Sequence, residues 1–416
     1  MTSSALGRDF RLLWSAAVSS RFGDALRTPA LALLAATVTR DPPVIAAVTV
    51  AAQLPPLLFG LLGGVYADRW DRRRTMAVVD GVRAAVVAAL AVVVALNRLN
   101  VLVLLVVAFL LAALGTLFDS ASFALLPSLV PPDALPRANG RLQAGSAVAG
   151  GFLGAPAAGV LFAVAPALPF AIDAVTFAAA ALLVLALGPP PVLGPGTARR
   201  HGSVWSEIVE GLRWLRAHRT LWRVTVLTAA SNLAISGIMA VLVLYALDVL
   251  RVPPAGYGLF AAAAIVGGVA GALGAARLAA WLGTVPALRA VLAVETVALT
   301  GFALARHPVP GGLALAVFAA GTVVWNSLWA SYGQRQVPSE LLGRVGAAQR
   351  MVGLLTAPLG AALAGLAAAS YGTVPVAAAA AGTFALVTLA AWWSTVEHVR
   401  QGGAERHHDP HSSTVI

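Results

Sequence analysis

The sequence predicts an all-α membrane protein of twelve transmembrane helices in two six-helix bundles. Three observations predict it. Of 416 residues, 59% are hydrophobic and 11% are charged, against about 45–50% and about 25% in soluble domains. The apolar residues fall into twelve runs long enough to cross a bilayer, which takes about 20 residues as a helix. The arginines gather in alternate connections between those runs.

The twelve runs lie at about 12–38, 43–67, 75–96, 100–126, 140–165, 167–188, 221–247, 255–281, 285–305, 310–333, 343–370 and 374–396. A spanning segment must satisfy its own backbone hydrogen bonds, which favours helices. Runs such as Val82–Leu96 and Val101–Leu114 are apolar all round, without the alternation of barrel strands. The first run is followed by no convincing cleavage site and is read as a retained span.

All 28 basic residues are arginine, against 17 acidic residues. With both termini inside, 21 arginines fall in inside segments and four in outside loops, namely Arg40, Arg98, Arg251 and Arg306. This bias places both termini in the cytoplasm and makes the basic charge a topology signal, so no nucleic-acid partner is expected. Zero cysteines exclude disulfides, thiolate metal sites and thiol nucleophiles. Without lysine there is no phosphate-binding loop of the Gly-x-x-x-x-Gly-Lys type. The seven histidines lie in loops, near span ends or in the tail, so no metal site, no cofactor and no enzyme activity are expected.

Residues 1–190 are read as the N-terminal bundle, 191–219 as a linker, 220–398 as the C-terminal bundle and 399–416 as a disordered tail. Gly188–Pro191 stops a helix. Val204–Arg219 then sets Ile208, Leu212 and Leu215 against charged residues at helical spacing, an amphipathic surface helix. The halves resemble each other. At a shift of 211, Pro42-Pro43 falls on Pro253-Pro254, Gly60 on Gly271 and Gly63 on Gly274. At a shift of 207, Val130-Pro131 falls on Val337-Pro338 and Arg137 on Arg344. Paired repeats with a site between them are a transporter plan.

After span two the chain reads Gly64, Asp68, Arg69, then Arg72 and Arg73, in the pattern Gly-x-x-x-Asp-Arg-x-x-Arg-Arg. This resembles the signature loop of the major facilitator superfamily, with Asp71 where glycine is usual. The stretches Phe10–Trp14, Phe22-Gly23-Asp24, Leu126–Pro131 and Leu168–Asp173 are similar to a drug:proton antiporter subgroup that includes macrolide-efflux and enterobactin exporters. The resemblance implies a loop that latches the cytoplasmic side: Asp68 caps span eleven near Arg344–Ala347, and Arg72 or Arg73 pairs with Asp119 on span four. The alternative is that these arginines only set topology. Span five carries Gly151, Pro156 and Gly159 in a run that resembles an antiporter signature, with Ala155 and Val160 departing from it. A bend at Pro156 and a small-residue packing seam are both open readings.

Charges inside a membrane need a reason. Arg21, Asp24 and Arg27 share one face of span one by their i, i+3 spacing. Asp24 is the candidate proton-coupling group, with Arg21 and Arg27 beside it; a permanent ion pair is the alternative. Two arginines around one aspartate make that face net positive. Asp80 and Arg83 are expected to pair, Asp173 to be structural, and Glu295 on span nine to have a partner on a neighbouring helix. Gln53 on span two, Asn232, Ser236 and Tyr245 on span seven, and Trp325, Asn326 and Trp329 on span ten are the candidate substrate-cavity residues.

Together these readings lead to a monomeric plasma-membrane transporter that exports small amphiphilic compounds by proton antiport. Its partners are the substrate, protons and the bilayer. Proton-coupled uptake of a metabolite is the alternative.

Overall fold

The computed structural model describes residues 7–59, 71–131, 134–188, 204–338 and 341–405, and these contain helices and no strand. Gly64, Asp68 and Arg69 lie outside the described residues, as does the tail from residue 406.

Twelve long helical segments follow in order. Spans one to four are Arg8–Val38, Pro42–Phe59, Arg72–Ala95 and Val101–Leu129. Span five runs through Leu135–Ala147, a wider π-helical stretch at Val148–Gly154, and Ala155–Val164. Span six is Leu168–Leu185. A separate helix, Val204–Ala217, precedes span seven, which joins Arg219–Leu244 to a π turn at Tyr245–Val249. Spans eight to twelve are Pro254–Leu282, Thr284–Leu304, Pro308–Gln336, Leu342–Tyr371 and Thr373–Glu405. Among the described residues, eleven stretches are long and apolar enough to cross a membrane. The remaining one is span one, long enough at 31 residues but carrying Arg21, Asp24 and Arg27 in its middle. The last helix continues to Glu405, past residue 399 where the sequence reading starts the tail.

Local chemistry explains the ends. Asp71, the departure from the signature loop, is the N-cap of span three: its carboxylate accepts from the backbone N–H of Arg73 (3.0 Å) and Arg74 (3.2 Å). Gly283 and Gly372, at φ +82° and +85°, end spans eight and eleven.

Packing has the same pattern in both sets of six. Span one packs on five and six, three on four and six, and two on four. Span seven likewise packs on eleven and twelve, nine on ten and twelve, and eight on ten. Across the sets, span two meets eleven and span five meets eight. The five–eight seam is backbone on backbone. A Cβ on Gly159 would stand 2.6 Å from the Ala255 carbonyl, and one on Gly258 would overlap the Ala155 carbonyl. Span five therefore serves as a packing seam, with the π stretch immediately before Pro156.

The amphipathic helix lays Ile208 and Leu215 against Val345, Ala348 and Met351 of span eleven. Arg344 Nη1 pairs with Glu210 at 2.6 Å.

Candidate functional site

A cavity of about 630 Å³ lies between the two sets of six, within the usual range for small-molecule sites, about 300–1,000 Å³. It is closed at the end where spans one and two join. There Gly365 lets span eleven pack onto Ala46 of span two, and Arg40 pairs with Asp248 at 2.9 Å. Side-chain exposure rises toward the other end, from 4% at Arg83 and 20% at Asp24 to 49% at Arg21 and 59% at Asp119.

The two walls differ. Spans one, two, three and four supply every charged lining residue, Arg21, Asp24, Arg27, Arg83 and Asp119, with Ser20 and Gln53, among apolar ones such as Leu31, Ala35, Ile45, Val48 and Leu111. Spans seven, eight and ten supply only uncharged residues, mainly Met239, Leu242, Val243, Tyr257, Ala261 and Leu315. One wall carries charge among apolar residues, and the other carries none.

Asp24, Asp80, Asp173, Arg27 and Arg83 form one network, and Arg21 and Asp119 form a separate pair beside it. Asp24 pairs with Arg27 on its own helix and with Arg83 of span three, whose Nη2 stands 3.1 and 3.3 Å from its two carboxylate oxygens. Arg27 Nε also reaches Asp173 of span six at 3.0 Å. Arg83 Nη1 lies 3.3 Å from both Asp80 and Ser20 Oγ. Arg21 bonds Asp119 of span four at 2.9 Å. The Arg83 guanidinium sits over the rings of Phe177 (4.2 Å) and Phe118 (5.9 Å), which hold a cation in a dry place. Gly23 makes the span one–six contact possible, because any Cβ there would overlap the Asp173 and Thr176 side chains.

Several expectations change. The span-one face is not net positive: three arginines meet four carboxylates, Asp24, Asp80, Asp119 and Asp173. Asp119 pairs with Arg21. Arg73 instead donates to the carbonyls of Val184 (3.2 Å) and Leu185 at the end of span six. Asp173, expected to be structural, is a member of the network. Arg83, expected only to pair with Asp80, is its centre. The Asp80-x-x-Arg83 spacing inside an apolar run was the available signal for this.

Of the seven expected cavity residues, Gln53 lines the cavity, and its amide also bonds Ser236 Oγ at 3.2 Å. Ser236 is buried and bonds the Ala357 carbonyl at 2.6 Å, tying spans two, seven and eleven together. Tyr245 is buried inside the second set of six. It stacks on Phe302, and its hydroxyl donates to the Phe302 and Ala303 carbonyls at 2.8 and 3.1 Å. Asn232 faces Gly353 of span eleven. Trp325 and Trp329 stack along span ten with Tyr332, and Asn326 is exposed; none of the four lines this cavity. Glu295 does find a partner on a neighbouring helix: Thr322 Oγ1 of span ten donates to it at 2.8 Å.

Two bundles packed in one pattern around a central cavity define a membrane transporter of the alternating-access kind. Residues 13–361 match the Major Facilitator Superfamily, and the chain belongs to that family. It is 32% identical to the Multidrug efflux pump Tap of Mycobacterium tuberculosis (strain ATCC 25618 / H37Rv), over 77% of this chain and 78% of that one. It is 33% identical to an uncharacterized MFS-type transporter of the same strain, a match spanning 57% of this chain and 56% of that protein's length. The fold is shared with a bacterial homologue of the human lysosomal transporter Spinster, in an inward-facing and unoccupied conformation. That likeness has a TM-score of 0.73 at 13% identity, covering 96% of this chain and 99% of that one.

Proposed function

We propose that this protein exports small amphiphilic compounds in exchange for protons. The observation that carries the reading is the uneven cavity lining: spans one to four hold all five of its charged residues among apolar ones, and spans seven, eight and ten add only uncharged residues. A molecule with a polar end and a flat apolar body satisfies both walls. The identity with a multidrug efflux pump supports export over uptake.

Asp24 is the coupling group in this reading. Three carboxylates, Asp24, Asp80 and Asp173, share the two guanidiniums of Arg27 and Arg83, so the network is neutral with one proton aboard. In a membrane interior a neutral network is far cheaper than a charged one. A proton arriving at Asp24 weakens its hold on Arg27 and Arg83 and changes how span one sits against spans three and six. In this reading Gly64, Asp68, Arg69, Arg72 and Arg73 act as the conformational latch, and the cavity's open end and both termini face the cytoplasm. The arginine distribution supports that orientation. The protein works as a monomer in the plasma membrane, by transport and not by catalysis, with no nucleic-acid partner.

The test uses inside-out vesicles carrying a pH-sensitive dye in the lumen, acidified by respiration. Adding an exported amphiphile, with ethidium as the first probe, should release luminal protons only in vesicles containing the protein. Compounds that instead drive protons inward with them, or a panel of amphiphiles that moves none, would contradict the reading.

A further inference from the structure

We propose that Asp80 is a second proton-binding site, linked to Asp24 through the single guanidinium of Arg83. This deepens the proposal above and rests on its reading of Asp24 as the coupling group.

Asp80 lies on span three, in the part shared with Arg83, and its side chain is fully buried. Its Oδ1 has one contact, Arg83 Nη1 at 3.3 Å, and its Oδ2 has no hydrogen-bond partner among the described residues. Arg83 is committed elsewhere: Nη2 grips both oxygens of Asp24, Nη1 is shared with Ser20, and the flat face is held by Phe177 and Phe118. A buried carboxylate with one long contact and one bare oxygen is poorly compensated for its lost hydration. The neutral acid needs far less, so Asp80 holds a proton while Arg83 grips Asp24. The other charges nearby are already matched: Arg27 with Asp24 and Asp173, and Arg21 with Asp119.

Arg83 is thus one cation between two acids, and it satisfies one fully at a time. When a proton binds Asp24, the carboxylate's charge is lost and Arg83 is free to turn to Asp80, whose neighbour it is at i, i+3. Asp80 then releases its proton and becomes the ionised partner. One proton enters at Asp24 and one leaves from Asp80, and the network's charge is the same before and after the exchange. The two sites titrate as a coupled pair and not as independent acids. The coupling also gives an ordered path, because the second proton leaves only after the first arrives.

Infrared difference spectroscopy of the purified full-length protein at neutral pH reads this without substrate or gradient. Wild type minus Asp80→Asn should show the carbonyl stretch of one protonated carboxyl per chain. Wild type minus Asp24→Asn should show the same band, because removing the Asp24 charge sends Arg83 to Asp80 and ionises it. Signals from other buried acids, Glu295 among them, cancel in both differences. If Asp80→Asn does not fold, as judged by gel filtration, the Asp24→Asn spectrum decides alone. Absence of the band from either difference overturns the proposal. If the band is present while amphiphiles release no protons from vesicles, the export reading falls and the Asp80 site stands. If release is seen without the band, the reverse holds.

Discussion

The two sets of six helices pack alike, yet they handle buried charge in opposite ways. In the first set, Asp24, Asp80, Asp173, Arg27 and Arg83 join in one network, with the Arg21–Asp119 pair beside it on the cavity. In the second, Glu295 sits between spans nine and ten with one hydroxyl donor, Thr322, and the cavity wall is nearly all apolar. The contrast teaches that a repeated scaffold can be split by chemistry, with buried charge gathered in one half and an apolar cavity face in the other. It also locates where substitutions should hurt.

Arg83→Ala should do the most damage. It leaves Asp24 with Arg27 alone and takes away the one hydrogen-bond partner of Asp80, and breaking a buried pair is worth about 3–5 kcal/mol. Loss of folded protein on thermal unfolding in detergent checks this. Gly23→Leu should come next: the added side chain displaces Asp173 from Arg27, and transport should fall at least tenfold while the protein still inserts. Tyr245→Phe sharpens the contrast from the other side. It removes a hydroxyl bonded to two carbonyls away from the cavity, worth about 0.5–1.5 kcal/mol, so the unfolding temperature should drop slightly with substrate affinity unchanged. The smallest effect is expected at Arg40→Ala. Its pair with Asp248 is more than half exposed, worth about 0–1 kcal/mol. The expected result is no change in stability but more labelling of cysteines introduced on the closed side of the cavity.

How far the sequence could be read depended on the range of each physical signal. A spanning helix shows itself in 20 consecutive residues, so the twelve spans were legible, and the seam at Gly159 was visible as small-residue spacing. The same-helix spacing of Arg21, Asp24 and Arg27 was legible for the same reason. Their partners were not, because Asp24–Arg83, Arg21–Asp119 and Arg27–Asp173 join residues 59, 98 and 146 positions apart. No local pattern carries that pairing. Tyr245 was misplaced for a related reason: a polar tip on an apolar span signals that a partner exists, and the partner proved to be two backbone carbonyls near the end of span nine. Asp71 stands out in the sequence only as a departure from the family pattern, but an aspartate before a helix is also a good N-cap, and that is its role.

The central claim is that proton coupling lives in the first set of six and passes through Asp24. The most direct measurement compares proton release on adding an amphiphile to inside-out vesicles bearing wild type, Asp24→Asn or Glu295→Gln at matched protein levels. The account predicts that Asp24→Asn abolishes coupled proton release while still binding the amphiphile, and that Glu295→Gln keeps at least half of the wild-type rate. Full proton release by Asp24→Asn, or its loss in Glu295→Gln alone, would contradict it.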